Sequence, residues 1–269
     1  MNKALTIAGS DSGGGAGIQA DLKTFQELEV FGMSVITAVT AQNTLGVHGV
    51  YPMTPEAIIQ QIQAIGEDIG TDAVKTGMLF SSDIIEAVSE QVRKYRWENL
   101  VVDPVMIAKG GASLLQQEAI FAMKTYLLPI AKVITPNIPE AEVLTGLTIK
   151  SAEDKKEAAL RLVELGVQTV VIKGGHDEDD SESTDLLYDG REFHTFTNKR
   201  IPTKNTHGTG CTFSAALTAE LAKGASVYYA VLTAKEFIQA AIEDGIEVGH
   251  GHGPTNHRAF RKKRELGNR

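Results

Sequence analysis

Hydrophobic positions along the chain follow two alternating patterns. Short runs rich in β-branched and apolar residues predict buried strands at 5–8, 34–39, 73–76, 100–103, 132–135 and 169–172. Longer stretches, in which apolar residues recur every three or four positions, predict helices at 18–28, 82–95, 116–127 and 151–165. One more helix is predicted to begin at Thr54-Pro55-Glu56, where a capping hydroxyl precedes proline and an acid.

This order of strands and helices predicts an α/β fold: a three-layer αβα sandwich around a mainly parallel sheet. Right-handed crossovers place the carboxyl ends of the strands along one rim, where ligands bind in such sheets. The segment 185–197 differs, because two short runs flank Asp189-Gly190 and predict a small antiparallel hairpin at the sheet edge. The acidic run 177–182 before it is interpreted as a mobile surface loop.

Composition narrows the classes of function. The 269 residues show no repeat or linker, so we expect one domain, 1–269, with a basic tail at about 258–269. The net charge of −8, from 26 basic and 34 acidic residues, argues against a nucleic-acid partner, and the tail is interpreted as a solvated helix end. Cys211 is the only cysteine, which excludes an intrachain disulfide and suits a reducing cytosol. No stretch reaches the length of a membrane span, so no membrane partner is expected and the expected location is cytoplasmic.

The first glycine-rich segment, 9–17, follows the first predicted strand. Its Gly15-x-Gly17-x-x-Ala20 pattern formally fits a dinucleotide fingerprint, but an acid is missing after the second strand, where 41–44 reads Ala-Gln-Asn-Thr. Two other interpretations stay open. The segment is a tight turn that needs glycine for steric reasons, or it lets a small substrate approach the backbone while Asp11 accepts a hydrogen bond from it.

The second glycine segment, Gly208-Thr209-Gly210, precedes a helix predicted over 211–223 and closed by Gly224. Free N–H groups at a helix start bind anions, as a kinase requires where phosphoryl charge develops. The chain has no Gly-x-x-x-x-Gly-Lys-Ser/Thr motif, which excludes a P-loop kinase. Cys211 in the first turn is expected to have a lowered pKa and to act as a base or proton acceptor. The alternatives are a simple tight turn and a buried, inert thiol.

Polar residues also follow three other predicted strands. Asn137 and Glu140, in 135–140, suggest Mg²⁺ handling, although an ordinary capping asparagine at a helix start explains them equally well. Lys173 is placed to reach a nucleotide phosphate, or is a surface lysine. Asp103 is a candidate acid near magnesium, and Val105 and Met106 are candidates for an apolar pocket wall.

A histidine-rich segment, 249–257, suggests a metal cluster at first sight. Acid or cysteine ligands are missing beside His250, His252 and His257, and the intervening glycines would hold the rings poorly. Zinc is therefore disfavoured.

Seven segments in this order resemble the hydroxymethylpyrimidine (phosphate) kinases of the ribokinase-like superfamily, over about 5–257. They are 9–11 with 13–21, then 41–44, 75–78, 103–106, 135–140, 173–176 and 205–211. The resemblance implies a ribokinase-like αβα sandwich that is usually dimeric, with ATP and Mg²⁺ as cofactors. It implies phosphorylation of 4-amino-5-hydroxymethyl-2-methylpyrimidine and then of its monophosphate, on the route to thiamine.

The resemblance also assigns roles to residues. Cys211, with Gly208 and Gly210, matches the catalytic loop, and Gln42 matches the position that hydrogen-bonds the pyrimidine. The other assignments are substrate contacts at Gly9, Asp11, Met78 and Val105, nucleotide contacts at Asn137, Lys173 and Thr209, and magnesium handling at Glu140 and Asp103.

Two positions depart from the wider pattern. The superfamily usually has aspartate at the position of Cys211, and this branch often has proline at the position of Ser12. The main alternative function is that of a pyridoxal kinase with the same fold. Such kinases look different at 41–44, so this segment favours the pyrimidine as the substrate. An NAD(P)-linked oxidoreductase and a non-catalytic ligand-binding regulator are the remaining alternatives.

Overall fold

A computed structural model describes residues 1–106, 117–176 and 181–267. The predicted acidic loop falls largely outside them, since 177–180 are not described; neither are Gln116, at the start of one predicted helix, and the last two residues of the tail. The strands are β1 Lys3–Ala8, β2 Phe31–Ile36, β3 Ala38–Asn43, β4 Gly46–Pro52, β5 Ala73–Thr76, β6 Leu100–Val102, β7 Val133–Ile134, β8 Thr169–Ile172, β9 Glu182–Tyr188 and β10 Phe193–Lys199. The helices are α1 Gly17–Glu27, α2 Pro55–Asp68, α3 Ser82–Lys94, α4 Gln117–Ala122, α5 Ile138–Thr145, α6 Ala152–Glu164, α7 Thr209–Ala222, α8 Val227–Glu243 and α9 Ala259–Gly267.

The central sheet has eight strands in the order β10-β9-β8-β7-β6-β5-β1-β2. Six neighbouring strands, from β8 to β2, pair in parallel, and β9 and β10 add an antiparallel hairpin at one edge. This confirms the predicted α/β fold and the predicted hairpin around Asp189-Gly190. The parallel strands end on the same side of the sheet, which brings the segments after β1, β5, β6, β7 and β8 together.

Helices cover both faces of the sheet because successive strand residues point to opposite sides. In β5, Ala73 packs in the core shared with α1, α7, α8 and α9, while its neighbour Val74 packs in the core shared with α2 to α6. In β6, Val101 and Val102 divide between the two cores in the same way. Strands buried on both faces read as continuous apolar runs, which is why the sequence pattern located them well.

The predicted strand at 34–39 is wrong as a single element. The chain leaves the central sheet at Thr37, whose hydroxyl donates to the Met78 carbonyl at 2.6 Å, and continues as β3 in a separate two-stranded sheet with β4. A change of register between Ala41 and Gln42 marks a bulge in this pair. Strand β4 was not predicted from the sequence, because Gly46–Pro52 carries two glycines and no buried residue and so shows no apolar pattern.

Helix α2 begins as predicted, with Thr54 as its cap and Pro55 in its first turn. The basic tail is helical: α9 buries Ala259 and Phe260 and turns its charged residues outward, and Phe260 contacts Phe237 of α8. Among the described residues, no helix combines the length and the apolar character that a membrane span requires.

Candidate active site

A cavity of about 1160 Å³ opens at the carboxyl ends of the parallel strands. Every residue that the sequence analysis assigned to the site lines it, from Gly9 and Asp11 after β1 to Cys211 in α7. These residues come from seven separate segments of the chain, and the fold brings them together at the rim where the parallel strands end, as predicted.

The anion loop, which we define as His207–Cys211, leads into α7. Helix α7 starts at Thr209, with Gly208 as its cap in the left-handed region at φ +80°. A Cβ atom at Gly208 would overlap the carbonyl oxygen of Gly15, so glycine is required for both conformation and space. The first-turn N–H groups of a helix have no helical acceptor, and at Gly210 and Cys211 these groups lie at the cavity wall. The loop is therefore built to hold an anion.

Asp11 organises the first glycine segment. Its carboxylate accepts hydrogen bonds from the backbone N–H groups of Gly13 (2.8 Å), Gly15 (3.0 Å) and Ala16 (2.8 Å). His207 Nε2 lies 2.8 Å from the same carboxylate, which joins this segment to the anion loop. Burial acts to raise the pKa of Asp11, but the hydrogen bonds from His207 and the backbone outweigh it and hold the pKa below its usual value. A contact from Asp11 to substrate stays a prediction, since its carboxylate already holds the loop.

The pKa of Cys211 is raised, which is the opposite of the lowered pKa expected from the sequence. The thiol's loss of hydration and the nearby carboxylates of Asp21 and Asp103 raise its pKa to about 11, although Lys75 and the Gly17 N–H group act in the opposite direction. Burial thus outweighs the helix dipole, and the group is a neutral thiol at pH 7. The thiol is only partly exposed at the cavity wall.

A buried ion pair lies at the floor of the cavity. Lys75 Nζ contacts Asp21 at 2.5 Å with both side chains fully buried, and the Thr6 hydroxyl donates to the other oxygen of Asp21 at 2.6 Å. Burial opposes the charge on Lys75, but the carboxylates of Asp21 and Asp103 raise its pKa above the usual value. Lys75 therefore stays protonated, paired with Asp21 and close enough to act on Cys211 of the anion loop.

Asp103 anchors a second wall of the cavity, next to the anion loop. It accepts from Lys173 Nζ at 3.0 Å and from the Ser214 hydroxyl of α7 at 3.0 Å. Burial raises the pKa of Asp103, but the charges of Lys173 and Lys75 more than compensate and lower it. Lys173 is largely buried, so it is not a surface lysine. Its ammonium group lies next to Gly210 in the first turn of α7.

Asn137 and Glu140 form a capping box at the start of α5. The Asn137 side chain accepts from the Glu140 N–H group at 2.8 Å, and Glu140 accepts from the Asn137 N–H group at 2.8 Å. This supports the structural alternative, but both side chains also line the cavity. Burial raises the pKa of Glu140 to about 7, helped by Asp103 and opposed by Lys173. The positive charge of Lys173 is therefore not enough to offset the burial of the Glu140 carboxylate.

Gln42 lies on the wall formed by β3, directly after the bulge. Its backbone N–H group donates to the Ser12 hydroxyl at 2.8 Å, which ties β3 to the first glycine segment. Its side-chain amide lies between Thr40 and His207. Gly9 packs against Met78, and Val105 contributes a further apolar surface to the cavity. A flat ring of mixed polarity fits this wall.

The sequence profile of the phosphomethylpyrimidine kinase family matches residues 11–256. The chain belongs to this family. A Bacillus subtilis hydroxymethylpyrimidine/phosphomethylpyrimidine kinase is 60% identical over 97% of this chain and 96% of its own. Kinase activity and the use of ATP follow from membership, and the oxidoreductase and regulator alternatives fall away.

Solved structures of related kinases have the same fold as this chain, in agreement with its membership of the family. A Bacillus subtilis pyridoxal kinase in an ADP complex superposes with a TM-score of 0.90 at 47% identity, over 97% of this chain and 99% of its own. A Staphylococcus aureus pyridoxal kinase in complex with AMP-PCP and pyridoxal gives a TM-score of 0.90 at 42% identity, over 97% and 94%. The predicted ribokinase-like build is therefore confirmed.

Three residues at the site were missed as individual contributors: His207, Lys75 and Asp21. His207 stood inside the recognised loop without a role, and nothing in the sequence links it to Asp11, 196 positions away. Lys75 did carry a signal, since a lysine in the middle of an apolar strand run implies a buried counter-charge.

The histidine-rich segment forms no metal centre among the described residues, where no group of three or more potential ligands occurs. His257 is buried against the Thr212 hydroxyl at 3.0 Å, and desolvation lowers its pKa to about 4. The glycines at 249 and 251 instead pack closely on Thr44 at the β3–β4 turn.

Proposed function

We propose that this protein transfers the γ-phosphoryl group of ATP to 4-amino-5-hydroxymethyl-2-methylpyrimidine and then to its monophosphate. The observation that carries the proposal is that Gln42 and the anion loop line one cavity, with the Gln42 amide beside His207 of that loop. A side-chain amide suits a ring with polar edges, and the nearby helix N-terminus suits a transferred phosphoryl group. The names of the close relatives support the same substrate.

ATP is proposed to lie along the carboxylate wall with its γ-phosphate at Gly208–Cys211. Lys173 is available for the phosphates because its ammonium group is held in place by Asp103 and borders Gly210. Thr209 begins the helix beside it, and Asn137 closes the neighbouring end of the cavity. Phosphoryl transfer depends mainly on such positioning and charge, since its transition state is loose.

Mg²⁺ is proposed to arrive with the nucleotide. The described residues offer no cluster of three potential ligands, so they would not hold the ion firmly alone. Mg²⁺ commonly takes one or two carboxylates and fills its shell with phosphate oxygens and water, which Asp103 and Glu140 fit. The bound ion would offset the charge that develops on the phosphates. A cation bound beside Glu140 would favour its ionised form and so lower the raised pKa of this carboxyl group.

Cys211 is proposed to orient the substrate hydroxyl group as a neutral thiol. With a pKa of about 11, only about one thiol in ten thousand is ionised at pH 7, so a preformed thiolate is a poor base here. A loose transition state requires little deprotonation before the phosphoryl group moves, and the proton can leave late. This proposal keeps Cys211 at the reacting hydroxyl group, but it replaces the predicted base or proton acceptor of low pKa with a neutral thiol that orients the substrate.

A pyridoxal kinase is the second candidate function. Two structures that superpose closely are named pyridoxal kinases, and one was solved with pyridoxal and AMP-PCP. Pyridoxal also carries a hydroxymethyl group on a flat ring. Because these relatives are less identical than the pyrimidine kinase relative, we place this activity second.

A substrate panel tests the proposal. The protein is assayed with ATP and Mg²⁺ on the pyrimidine alcohol, its monophosphate, pyridoxal and pyridoxine, and kcat/KM is compared. We expect the two pyrimidines to be preferred. A higher kcat/KM for pyridoxal than for either pyrimidine would reverse the order of the two candidates.

Further expectations concern assembly and location. We propose a single-domain homodimer, supported by the exposed apolar side chains Val39, Leu45 and Tyr51 in the β3–β4 sheet and its turn. Sedimentation velocity checks the dimer. A cytoplasmic location remains a prediction from the lone cysteine and the sequence as a whole.

A further inference from the structure

The side-chain amide of Gln42 lies between Thr40 and His207. Each of these two residues makes a further hydrogen bond that fixes where its own hydrogen points. Gln42 Oε1 lies 3.3 Å from Thr40 Oγ1, and Gln42 Nε2 lies 3.4 Å from His207 Nε2. A half-turn about the last side-chain bond exchanges these two atoms at almost no change in shape, so the neighbours decide the orientation.

His207 must present a hydrogen at Nε2. That nitrogen lies 2.8 Å from Asp11 Oδ2, and the Asp11 carboxylate also accepts three backbone N–H groups. A carboxylate held in this way is ionised and can only accept, so Nε2 must be the donor. Nε2 therefore has no lone pair to offer to an amide N–H group, in either the neutral or the charged ring.

Thr40 must present a lone pair. Its hydroxyl lies 2.8 Å from the Ser10 carbonyl oxygen, which can only accept. A hydroxyl has one proton, and that proton is used on Ser10. Thr40 Oγ1 can then only accept from Gln42. Only one orientation keeps donors from facing donors and acceptors from facing acceptors: the amide oxygen lies beside the His207 Nε2–H group, whose hydrogen is directed mainly at Asp11, and the amide NH₂ group faces Thr40.

We propose that His207 and Thr40 fix the orientation of the Gln42 amide and thereby select which way an aminopyrimidine ring lies in the cavity. This rests on the proposed function. The fixed amide offers an acceptor on the His207 side and a donor on the Thr40 side. An aminopyrimidine carries a complementary pair, an amino group next to a ring nitrogen, which an amide binds with two hydrogen bonds as it binds adenine.

The orientation has a consequence for the reacting group. The amino group pairs with the amide oxygen, so it lies on the side of His207. The hydroxymethyl group is on the adjacent ring carbon, beyond the amino group, and therefore points toward Gly208 and the rest of the anion loop, which continues from His207. Pyridoxal has no amino group beside its ring nitrogen, so it cannot form the same pair. His207 and Thr40 are thus specificity-determining positioning residues.

Kinetics of four variants test the proposal. His207→Leu removes the donor, Thr40→Val removes the acceptor at equal shape, Thr40→Ser restores it, and Gln42→Leu removes the amide. We expect KM for the pyrimidine alcohol to rise about tenfold in the first two, the effect of one hydrogen bond, and its preference over pyridoxal to fall by a similar factor. Thr40→Ser should recover most of the preference lost in Thr40→Val, and KM for ATP should stay close to wild type.

A loss that is equal for pyrimidine and pyridoxal would overturn the proposal, since it would indicate only a loosened loop. His207→Leu also removes the hydrogen bond from His207 to Asp11, which changes the first glycine segment. A second measurement therefore uses the wild-type protein. Long-range ¹⁵N–¹H NMR is expected to show His207 protonated at Nε2, and an unprotonated Nε2 would overturn the proposal without any variant. If the wild-type protein fails to phosphorylate pyrimidines, the proposed function fails, while the NMR result still tests the orientation separately.

Discussion

The two walls of the cavity are held by different forces. The glycine wall, comprising the first glycine segment (9–17) and the anion loop (207–211), is fixed by close backbone approach and by hydrogen bonds within the chain. The carboxylate wall, comprising Asp103, Asn137, Glu140 and Lys173, is fixed by charge, and one of its carboxyl groups has a pKa of about 7. The first wall should therefore respond to added volume and hardly to pH. The second should respond to pH and cations and tolerate isosteric changes.

Gly208→Ala is the sharpest test of the glycine wall. The new methyl group would overlap the Gly15 carbonyl oxygen and sit at φ +80°, so the anion loop must move. We expect kcat/KM to fall at least about 1000-fold, because small displacements of positioning groups cost large factors. The control is Gly224→Ala, which has a similar φ of +86° but no atom within 4 Å of the new Cβ. Similar activities for the two variants would refute steric control of this wall.

Lys75→Met tests the charge beneath the glycine wall. It leaves the Asp21 carboxylate buried with the Thr6 hydroxyl as its remaining partner, and such a broken pair costs about 3–5 kcal/mol of unfolding free energy. Urea unfolding at pH 7.5 measures the loss. The control Lys262→Met removes a lysine from an exposed pair with Asp244, where no measurable loss is expected. A Lys75→Met protein as stable as wild type would contradict the account of this pair.

Cys211→Ala tests the thiol as an orienting group. We expect kcat to fall about 100-fold while KM for ATP stays near the wild-type value, since the group acts on the acceptor. The wild-type kcat should be flat between pH 7 and 9, because a neutral thiol is the working form. A kcat that rises about tenfold per pH unit would show that the thiolate, with its pKa of about 11, is the working form instead.

Glu140→Gln is the smallest change and tests the carboxylate wall. In the unfolded chain the Glu140 carboxyl ionises near pH 4.5 and in the folded chain near pH 7, so its contribution to stability is lost as pH rises through this interval. The amide keeps an acceptor for the capping box and removes the charge. We expect it to raise the unfolding free energy by about 1–3 kcal/mol at pH 8 and by nothing at pH 4, and to raise the Mg²⁺ concentration that gives half-maximal rate. A stability gain that is equal at both pH values would contradict the raised pKa.

Much of the fold followed from local pattern. The buried strands stood out because parallel strands are apolar on both faces, and the helix starts at Thr54 and Asn137 carried capping residues. The β3–β4 sheet did not stand out, since β4 has no buried residue and its pairing with β3 supplies the order. Helix α8 was not predicted either, although its buried face is apolar.

The candidate site divides along the same line. Sequence alone determined that Gly208 and Gly210 stand at a helix start with the single cysteine next to them, and that Asn137 and Glu140 stand at another helix start, because each feature depends on neighbours within a few residues. Only the tertiary structure decided the state of Cys211, because its pKa depends on burial and on charges from Asp21, Lys75 and Asp103, which are distant in the chain. It also placed His207 against Asp11 and Gln42, because hydrogen bonds between residues so far apart exist only once the sheet has brought its strand ends together.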